Sequence, residues 1–214
     1  MNTTSGQAIR AVVALASAAF PFVAARIAVA AQGVRADVAG GILEAGARLT
    51  YGSAGGEQPA WTIDSVHQGV ALGGRAGCTR IYLRMRPDQA SPTARVLCRG
   101  GDTLYAWNAA TSVWRADRPL GAEMRLSVPQ ASGAVLDYAT SARGDTTVSG
   151  HRVAFVRTVI TTRDAQGRAT RRLTERYALA LATALGGVFE VPDSSASSGW
   201  RENQRFDLVR LDLP

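Results

Sequence analysis

The chain has 214 residues, which is enough for one domain that buries a core without help from a metal ion. It is 46% hydrophobic and 19% charged, a balance typical of a globular protein and too apolar for a disordered chain. The net charge is +7, and the basic residues are all arginines, spread along nearly every segment. Nucleic-acid-binding proteins usually group such charge beside aromatic side chains, so we expect no nucleic acid among the partners.

Residues 1–31 have the layout of a secretion signal. A polar start ends in one positive charge at Arg10, an apolar run covers 11–25, and small residues follow. Two overlapping small-residue sites favour cleavage before Ala31 or before Gln32. The alternatives are a retained membrane anchor and an ordinary helix, but the apolar run is shorter than the roughly 20 residues that a spanning helix needs.

The signal predicts an exported protein, periplasmic or extracellular, with residues 1–31 removed. The mature chain, 32–214, contains no internal linker and no repeat of fixed period, so one domain is expected. We expect no stable membrane span in this mature form.

The two cysteines, Cys78 and Cys98, lie in two strand-like runs around a turn at 87–92. A hairpin register that places Cys98 opposite Cys78 also places Val96 opposite Arg80, all on one face. This spacing predicts a structural disulfide, which persists in an exported protein and stabilises it by roughly 3 kcal/mol. A redox pair or metal site is the alternative, but the chain contains no CxxC motif.

Short strands separated by turn residues dominate the rest of the sequence. Residues 79–86 alternate between apolar and polar side chains, the pattern of a strand with one wet face, and the longest such runs are 151–162 and 168–180. Short helical pieces are expected only near 37–47 and 181–185, and the five Gly-Gly pairs are interpreted as turns. About nine strands predict a mainly β fold, a single curved antiparallel sheet forming a half-barrel or barrel-like meander.

No group of residues has the spacing of a catalytic or metal site. The motif G-x-S-x-G is absent, and His67 and His151 stand alone. Four carboxylates in the long-strand region are candidate acids for glycoside hydrolysis: Asp137, Asp145, Glu175 and Glu190. Neighbouring arginines, among them Arg171, Arg172 and Arg176 around Glu175, favour charge balance instead. We therefore expect no enzymatic activity, no metal and no cofactor.

Aromatic side chains in the strands supply apolar surface that either lines a cavity or fills a core. The residues selected as candidate ligand contacts are Trp61, Tyr105, Trp107, Tyr138, Phe155 and Tyr177. A further motif, Arg143-Gly144-Asp145, is the tripeptide of integrin-binding adhesive proteins, but in so Arg- and Gly-rich a chain chance is the better explanation.

The segment TERYALALATALGGVFE at 174–190, preceded by GHRVAFVRTV and a DAQG turn, resembles segments of secreted bacterial proteins with curved antiparallel sheets. Their outline is similar to that of the LolA and LolB lipoprotein carriers. The resemblance covers about residues 134–191 and implies a curved-sheet architecture, without any diagnostic site residue. The carriers cover their concave face with helices, and the sequence predicts no such helix here.

Export and aromatic-rich strands together favour a non-catalytic protein that binds a hydrophobic or amphipathic ligand, a lipid or a lipoprotein, on the concave face of the sheet. The alternative is a structural or protein-interaction module of the cell envelope with no small-molecule ligand. Such a module would bind an envelope protein through its sheet edges or its arginine-bearing face.

Overall fold

The computed structural model describes residues 38–214, so the predicted secretion signal lies outside the described residues. Within this range the chain forms thirteen strands and one three-residue 3-10 helix, Leu179–Leu181. The strands are β1 (Arg48–Ser53), β2 (Gly56–Glu57), β3 (Trp61–Leu72), β4 (Arg75–Arg84), β5 (Thr93–Gly100), β6 (Thr103–Asn108), β7 (Val113–Pro119), β8 (Arg125–Pro129), β9 (Val135–Val148), β10 (His151–Arg163), β11 (Ala169–Ala178), β12 (Thr183–Pro192) and β13 (Trp200–Asp212). No helix among these residues is long and apolar enough to cross a membrane.

All thirteen strands belong to one antiparallel sheet, as the sequence predicts. Twelve follow the order β7-β6-β5-β4-β3-β1-β13-β12-β11-β10-β9-β8, and β2 pairs with β1 alone. Pairing of β1 with β13, with Leu49 opposite Leu211, brings the two halves of the meander together and rolls the sheet into a nearly closed barrel. The two end strands, β7 and β8, lie side by side without ladder hydrogen bonds; we call this gap the seam.

The number of strands exceeds the nine predicted. The sequence pattern does not predict β2, which has only two residues. It does not predict β12 either, because the start of β12 was expected to be helical and its Gly186-Gly187 pair was expected to be a turn. Both glycines lie inside β12. A Cβ at Gly187 would lie 2.8 Å from the backbone oxygen of Thr174, and one at Gly186 would lie 2.9 Å from that of Phe206. Glycine is needed there because the neighbouring strands approach closely.

Apolar side chains fill the interior of the rolled sheet. Leu49, Ile81, Leu97 and Leu104, from β1, β4, β5 and β6, and Leu181 from the 3-10 helix are each at most 1% exposed. Residues 39–47 form turns that pack against one part of this core, and their backbone bonds to the 3-10 helix. The concave face of the sheet is therefore mostly occupied by the protein itself.

The predicted hairpin between the cysteines is confirmed. Arg80 pairs with Val96, and Cys78 and Cys98 form a disulfide with their Cα atoms 4.4 Å apart. The disulfide belongs to a small apolar cluster separate from the main core, and Trp107 and Trp114 pack against that cluster. The disulfide thus lies on the outer face of the sheet.

The longest hairpin, β9 and β10, has an edge that no other described strand covers. Its turn, Ser149-Gly150, has positive φ at both residues, 47° and 84°, as in a type I′ turn. β8 pairs with β9 only along Val135–Ala139. Residues 141–148 of β9 therefore pair with β10 on one side and with no strand of the described chain on the other; we call this stretch the free edge of β9.

Candidate functional site

A cleft of about 560 Å³ opens at the seam, between the end of β7 and the free edge of β9. Its apolar lining residues are Leu120, Ala154, Phe155, Val156 and Leu179. Its charged or hydroxyl-bearing lining residues are Arg99, Arg143, Asp145 and Tyr177. We call it the seam cleft. Its volume lies within the range of small-molecule binding pockets, and its lining combines apolar walls with a few polar groups.

Two arginines at the mouth of the seam cleft share one carboxylate. The Nη2 atoms of Arg99 and Arg143 lie 3.7 and 3.8 Å from Oδ1 of Asp102. The other acid of the cleft, Asp145, is 2.6 Å from an arginine of its own, Arg152. Two guanidinium groups therefore lie beside one carboxylate at the mouth of the cleft. Both rim arginines reach solvent, since their side chains are 37% and 59% exposed.

Phe155 forms an apolar wall of the cleft because its neighbour on β9 is a glycine. Phe155 lies opposite Gly144 in the ladder, and a Cβ at Gly144 would lie 2.9 Å from Cζ of the ring. The ring therefore covers the backbone of β9. Phe155 also borders a second groove of about 300 Å³, which contains Arg157 and Arg176.

Tyr177 lines the cleft, and a buried group of charges lies against it. The guanidinium of Arg118 stacks on the Tyr177 ring, 3.7 Å from its centroid. Arg118 donates hydrogen bonds to Asp117, at 2.8 Å, and to Glu175. The side chains of Arg118 and Glu175 are both 0% exposed. A buried ion pair of this kind is costly to desolvate and costly to break, because loss of one partner leaves the other charge without compensation.

Burial and the attraction between opposite charges together set the pKa values of this group, which also includes Arg95 on β5. Burial raises the pKa of Glu175, and the attraction of Arg118 offsets this only in part. It would lower the pKa of Arg118, but the attraction of Glu175 and Asp117 outweighs burial, so this pKa is raised. Burial lowers the pKa of Arg95 to about 9, and it raises the pKa of Tyr177. At neutral pH both arginines are charged and the tyrosine is a neutral phenol.

Three polar oxygens behind the cleft have no hydrogen-bond partner within residues 38–214: Oε2 of Glu175, the hydroxyl of Tyr177 and Oγ1 of Thr158. Thr158 on β10 lies directly opposite Glu175 on β11, and Tyr177 follows two residues later on the same face. Buried oxygens in such a group commonly bond to internal water. In the described part of the chain, no three His, Cys, Asp or Glu side chains are close enough to hold a metal ion.

The structure brings two of the six predicted ligand contacts, Phe155 and Tyr177, together in the seam cleft. Two others lie in the packed interior and do not line the cleft. Tyr138 is 4% exposed. Trp61 packs against Tyr51, with ring centroids 4.6 Å apart, and against the main core.

The remaining two lie on the outer face. Arg75 stacks on the ring of Tyr105, with its guanidinium 3.7 Å from the ring centroid. Trp107 packs against Trp114 at 5.3 Å, beside the disulfide. These aromatic side chains cover the outer side of the cysteine hairpin, away from the seam cleft.

Of the four carboxylates that were candidate acids, three form ion pairs with arginines, as the charge-balance interpretation expects. These pairs are Asp137 with Arg163, Asp145 with Arg152 and Glu190 with Arg172. Glu175 differs. Its partner is Arg118, 57 residues earlier, and not an arginine that brackets it in the sequence. The signal for its inward position is the alternation of Leu173, Glu175 and Tyr177 along β11. For the rim arginines Arg99 and Arg143 the sequence offers no comparable signal.

No family model, no curated protein and no solved structure matches the chain. The resemblance to the LolA and LolB carriers therefore stays an expectation from the sequence. The described residues contain no helix that covers a sheet face, since their one helix has three residues.

Proposed function

We propose that this chain is an exported, non-catalytic binding protein for an amphipathic molecule such as a lipid. The apolar part of the ligand occupies the seam cleft, and its anionic head bonds to Arg99 and Arg143. The observation that carries the proposal is the lining of the cleft, where apolar walls end at two solvent-reaching arginines that share one carboxylate.

The size of the cleft supports a single medium-length apolar chain. Each methylene removed from water contributes roughly 0.8 kcal/mol, so eight or so of them contribute roughly 6 kcal/mol before the entropy cost of association. Charge-assisted bonds from arginine to a carboxylate or phosphate add affinity and fix the orientation. Together these terms support a dissociation constant in the micromolar range.

The carboxylates around the cleft support a role without catalysis. They are already bonded to arginines: Asp102 to Arg99 and Arg143, Asp145 to Arg152, and Glu175 to Arg118. A general acid or base has to reach the substrate within hydrogen-bond distance. Glu175, whose pKa is raised by burial, is fully enclosed.

The test is a calorimetric titration of the purified protein with decanoate and with decanol, which has the same chain length but no charge. We expect saturable binding of one decanoate per chain, with weaker binding of decanol. Arg143→Ala should weaken decanoate binding and leave decanol binding nearly unchanged, whereas Phe155→Ala should weaken both.

Arg86→Ala is the matched control, because Arg86 lies outside the cleft and its side chain is 67% exposed. It should bind both probes as the unmodified protein does. Absence of saturable decanoate binding, or equal losses in the Arg143 and Arg86 variants, would refute the proposed ligand site.

The groove on the outer face favours a second candidate, a protein-interaction module of the cell envelope. Arg157 lies directly opposite Arg176 in the β10–β11 ladder, and like charges in that position repel each other. Arg176 bonds Asp207, while Arg157 forms no salt bridge within the described residues. An acidic partner would relieve the repulsion. Binding of an acidic peptide that Arg157→Ala abolishes would support this candidate, and unchanged binding would remove it.

A further inference from the structure

The free edge of β9 leaves backbone groups without partners on an exposed strand. Because the turn at Ser149-Gly150 is of type I′, Val148 and His151 form a hydrogen-bonded pair that closes the hairpin. Alternate residues before Val148 then direct their N–H and C=O groups away from β10. These residues, Arg143, Asp145 and Thr147, are exposed and have no backbone partner among the described residues.

We propose that two copies of this protein pair along the free edge of β9 as antiparallel strands, around a twofold axis at Gly144. In this register the residue numbers of any two facing residues add to 288. Gly144 faces the partner's Gly144. Arg143 faces the partner's Asp145, and the symmetry repeats this contact in reverse. The free edge of β9 borders the seam cleft and shares Arg143 with the proposed ligand site, but self-pairing requires no bound ligand.

The register satisfies the hydrogen-bond pattern of an antiparallel ladder. Arg143 and the partner's Asp145 both direct their backbone groups outward, so they form a hydrogen-bonded pair, and the two central glycines form the closer, non-hydrogen-bonded pair. Glycine at the centre leaves room between the two backbones. Residues 141–148 contain no proline, so no edge N–H is missing.

The charges on the free edge of β9 favour pairing with a second copy of this chain over pairing with an unrelated strand. The sequence Arg-Gly-Asp is positive on one side of the axis and negative on the other, so an antiparallel copy presents the complementary charge at each position. The ion pairs that these side chains make within the chain are exposed, with Arg143 59% and Asp145 43% accessible, and Arg143 also donates one hydrogen bond, at 3.2 Å, to the backbone oxygen of Leu120. Replacing an exposed ion pair within the chain by one with the partner changes the free energy little. Self-pairing thus gives the Arg-Gly-Asp tripeptide a structural role.

Sedimentation velocity of the purified full chain, without added ligand, tests the proposal. We expect a monomer–dimer equilibrium that shifts to the dimer as the protein concentration rises through the micromolar range. Arg143→Asp and Asp145→Arg each place like charges opposite each other twice, so each should raise the dimer dissociation constant by about tenfold or more. Arg86→Asp makes the same charge change as Arg143→Asp but lies away from the free edge of β9, so it should not alter the dimer dissociation constant.

An equimolar mixture of the two edge variants supplies the decisive comparison. In the mixed dimer every facing pair is again of opposite charge, so the mixture should associate as the unmodified protein does although each variant alone is largely monomeric. Circular dichroism of each variant checks that the fold is kept. A protein that stays monomeric at all concentrations, or a dimer that both single variants leave intact, would overturn the proposal. Decanoate titration of Asp145→Arg, which retains both Arg99 and Arg143, separates the loss of self-pairing from the loss of ligand binding.

Discussion

At the scale of single residues, the Arg118 and Glu175 pair dominates the electrostatics of the interior. Both side chains are 0% exposed, and Tyr177 separates part of the pair from the seam cleft. Arg118 also forms an ion pair with Asp117, so Glu175 depends on Arg118 for compensation more than Arg118 depends on Glu175. The pair makes the interior intolerant of changes that remove only one of the two.

We predict that Glu175→Gln lowers the free energy of unfolding by about 2–3 kcal/mol, because the buried charge of Arg118 keeps Asp117 but loses the other of its two carboxylate partners. Replacing the group together, Asp117→Asn with Arg118→Met and Glu175→Leu, should cost much less, because neither carboxylate nor the Arg118 charge then remains. Glu190→Gln is the control, since it breaks a partly exposed pair with Arg172 and should cost about 1 kcal/mol or less. Urea unfolding measures all three. A Glu175→Gln protein as stable as the control would contradict the role of the buried pair.

Glu190 also predicts a dependence of stability on pH. The hydrogen bond from Arg172 lowers the pKa of Glu190 below its ordinary value of 4.5, so the folded state binds this proton less readily than the unfolded state. The stabilisation is therefore present above pH 4.5 and is lost as the pH falls through the lowered value. The difference in unfolding free energy between the unmodified protein and Glu190→Gln should shrink in that range. A difference that does not change with pH would contradict this.

The inward position of Glu175 can be predicted from the alternation of side chains along β11. Its pairing with Arg118 cannot be predicted from the sequence. A bulge between β6 and β7 pairs Tyr105 with Ala116 but Leu104 with Arg118, so Asp117 is an extra residue. Without the bulge, Asp117 would lie opposite Leu104. A shift of one residue exchanges the two faces of a strand, and the sequence carries no clear signal for it.

At the scale of elements, the disulfide fixes the hairpin of β4 and β5. We predict that the double variant Cys78→Ala/Cys98→Ala keeps the fold and loses roughly 3 kcal/mol of unfolding free energy, because the unfolded chain regains the freedom of the loop between the cysteines. Denaturant unfolding followed by tryptophan fluorescence measures this. Adding a reductant to the unmodified protein should give a similar loss. Equal stability with and without the bridge would exclude it as a structural element.

The close approach of strands around β12 yields a separate prediction. Gly187→Ala places a methyl carbon 2.8 Å from the backbone oxygen of Thr174, so either the strand or its neighbour has to move. We expect a loss of about 1–3 kcal/mol in unfolding free energy, the usual cost of overpacking. Thermal and urea unfolding of this variant measure the loss. An alanine tolerated without loss would mean that Gly187 is not required by packing.

Elements with a buried and a wet face are the ones that the sequence predicts well. The predicted runs 151–162 and 168–180 correspond to β10, His151–Arg163, and β11, Ala169–Ala178, and the disulfide hairpin has the predicted register. The sequence pattern that begins at Val135 predicts a strand only as far as residue 140, whereas β9 extends to Val148. Most side chains from 141 to 147 are exposed, so no period-2 alternation of polarity marks the strand there. That stretch is the free edge of β9, the surface proposed for self-pairing.

At the scale of the whole molecule, pairing of β1 with β13 decides where a ligand has room. This contact joins residues near opposite ends of the chain, and short-range patterns contain no information about it. It rolls the sheet until the core fills the concave face, where the sequence suggested the ligand. The remaining opening is the seam between β7 and β8, where the seam cleft lies.

Native mass spectrometry of the purified protein, after organic extraction and re-addition of decanoate, tests the central claim most directly. We predict a single saturable mass increment of one decanoate per chain, strongly reduced in Arg143→Ala and unchanged in Arg86→Ala. A chain that takes up no decanoate, or takes up many molecules without saturation and equally in both variants, would contradict an amphipathic ligand in the seam cleft.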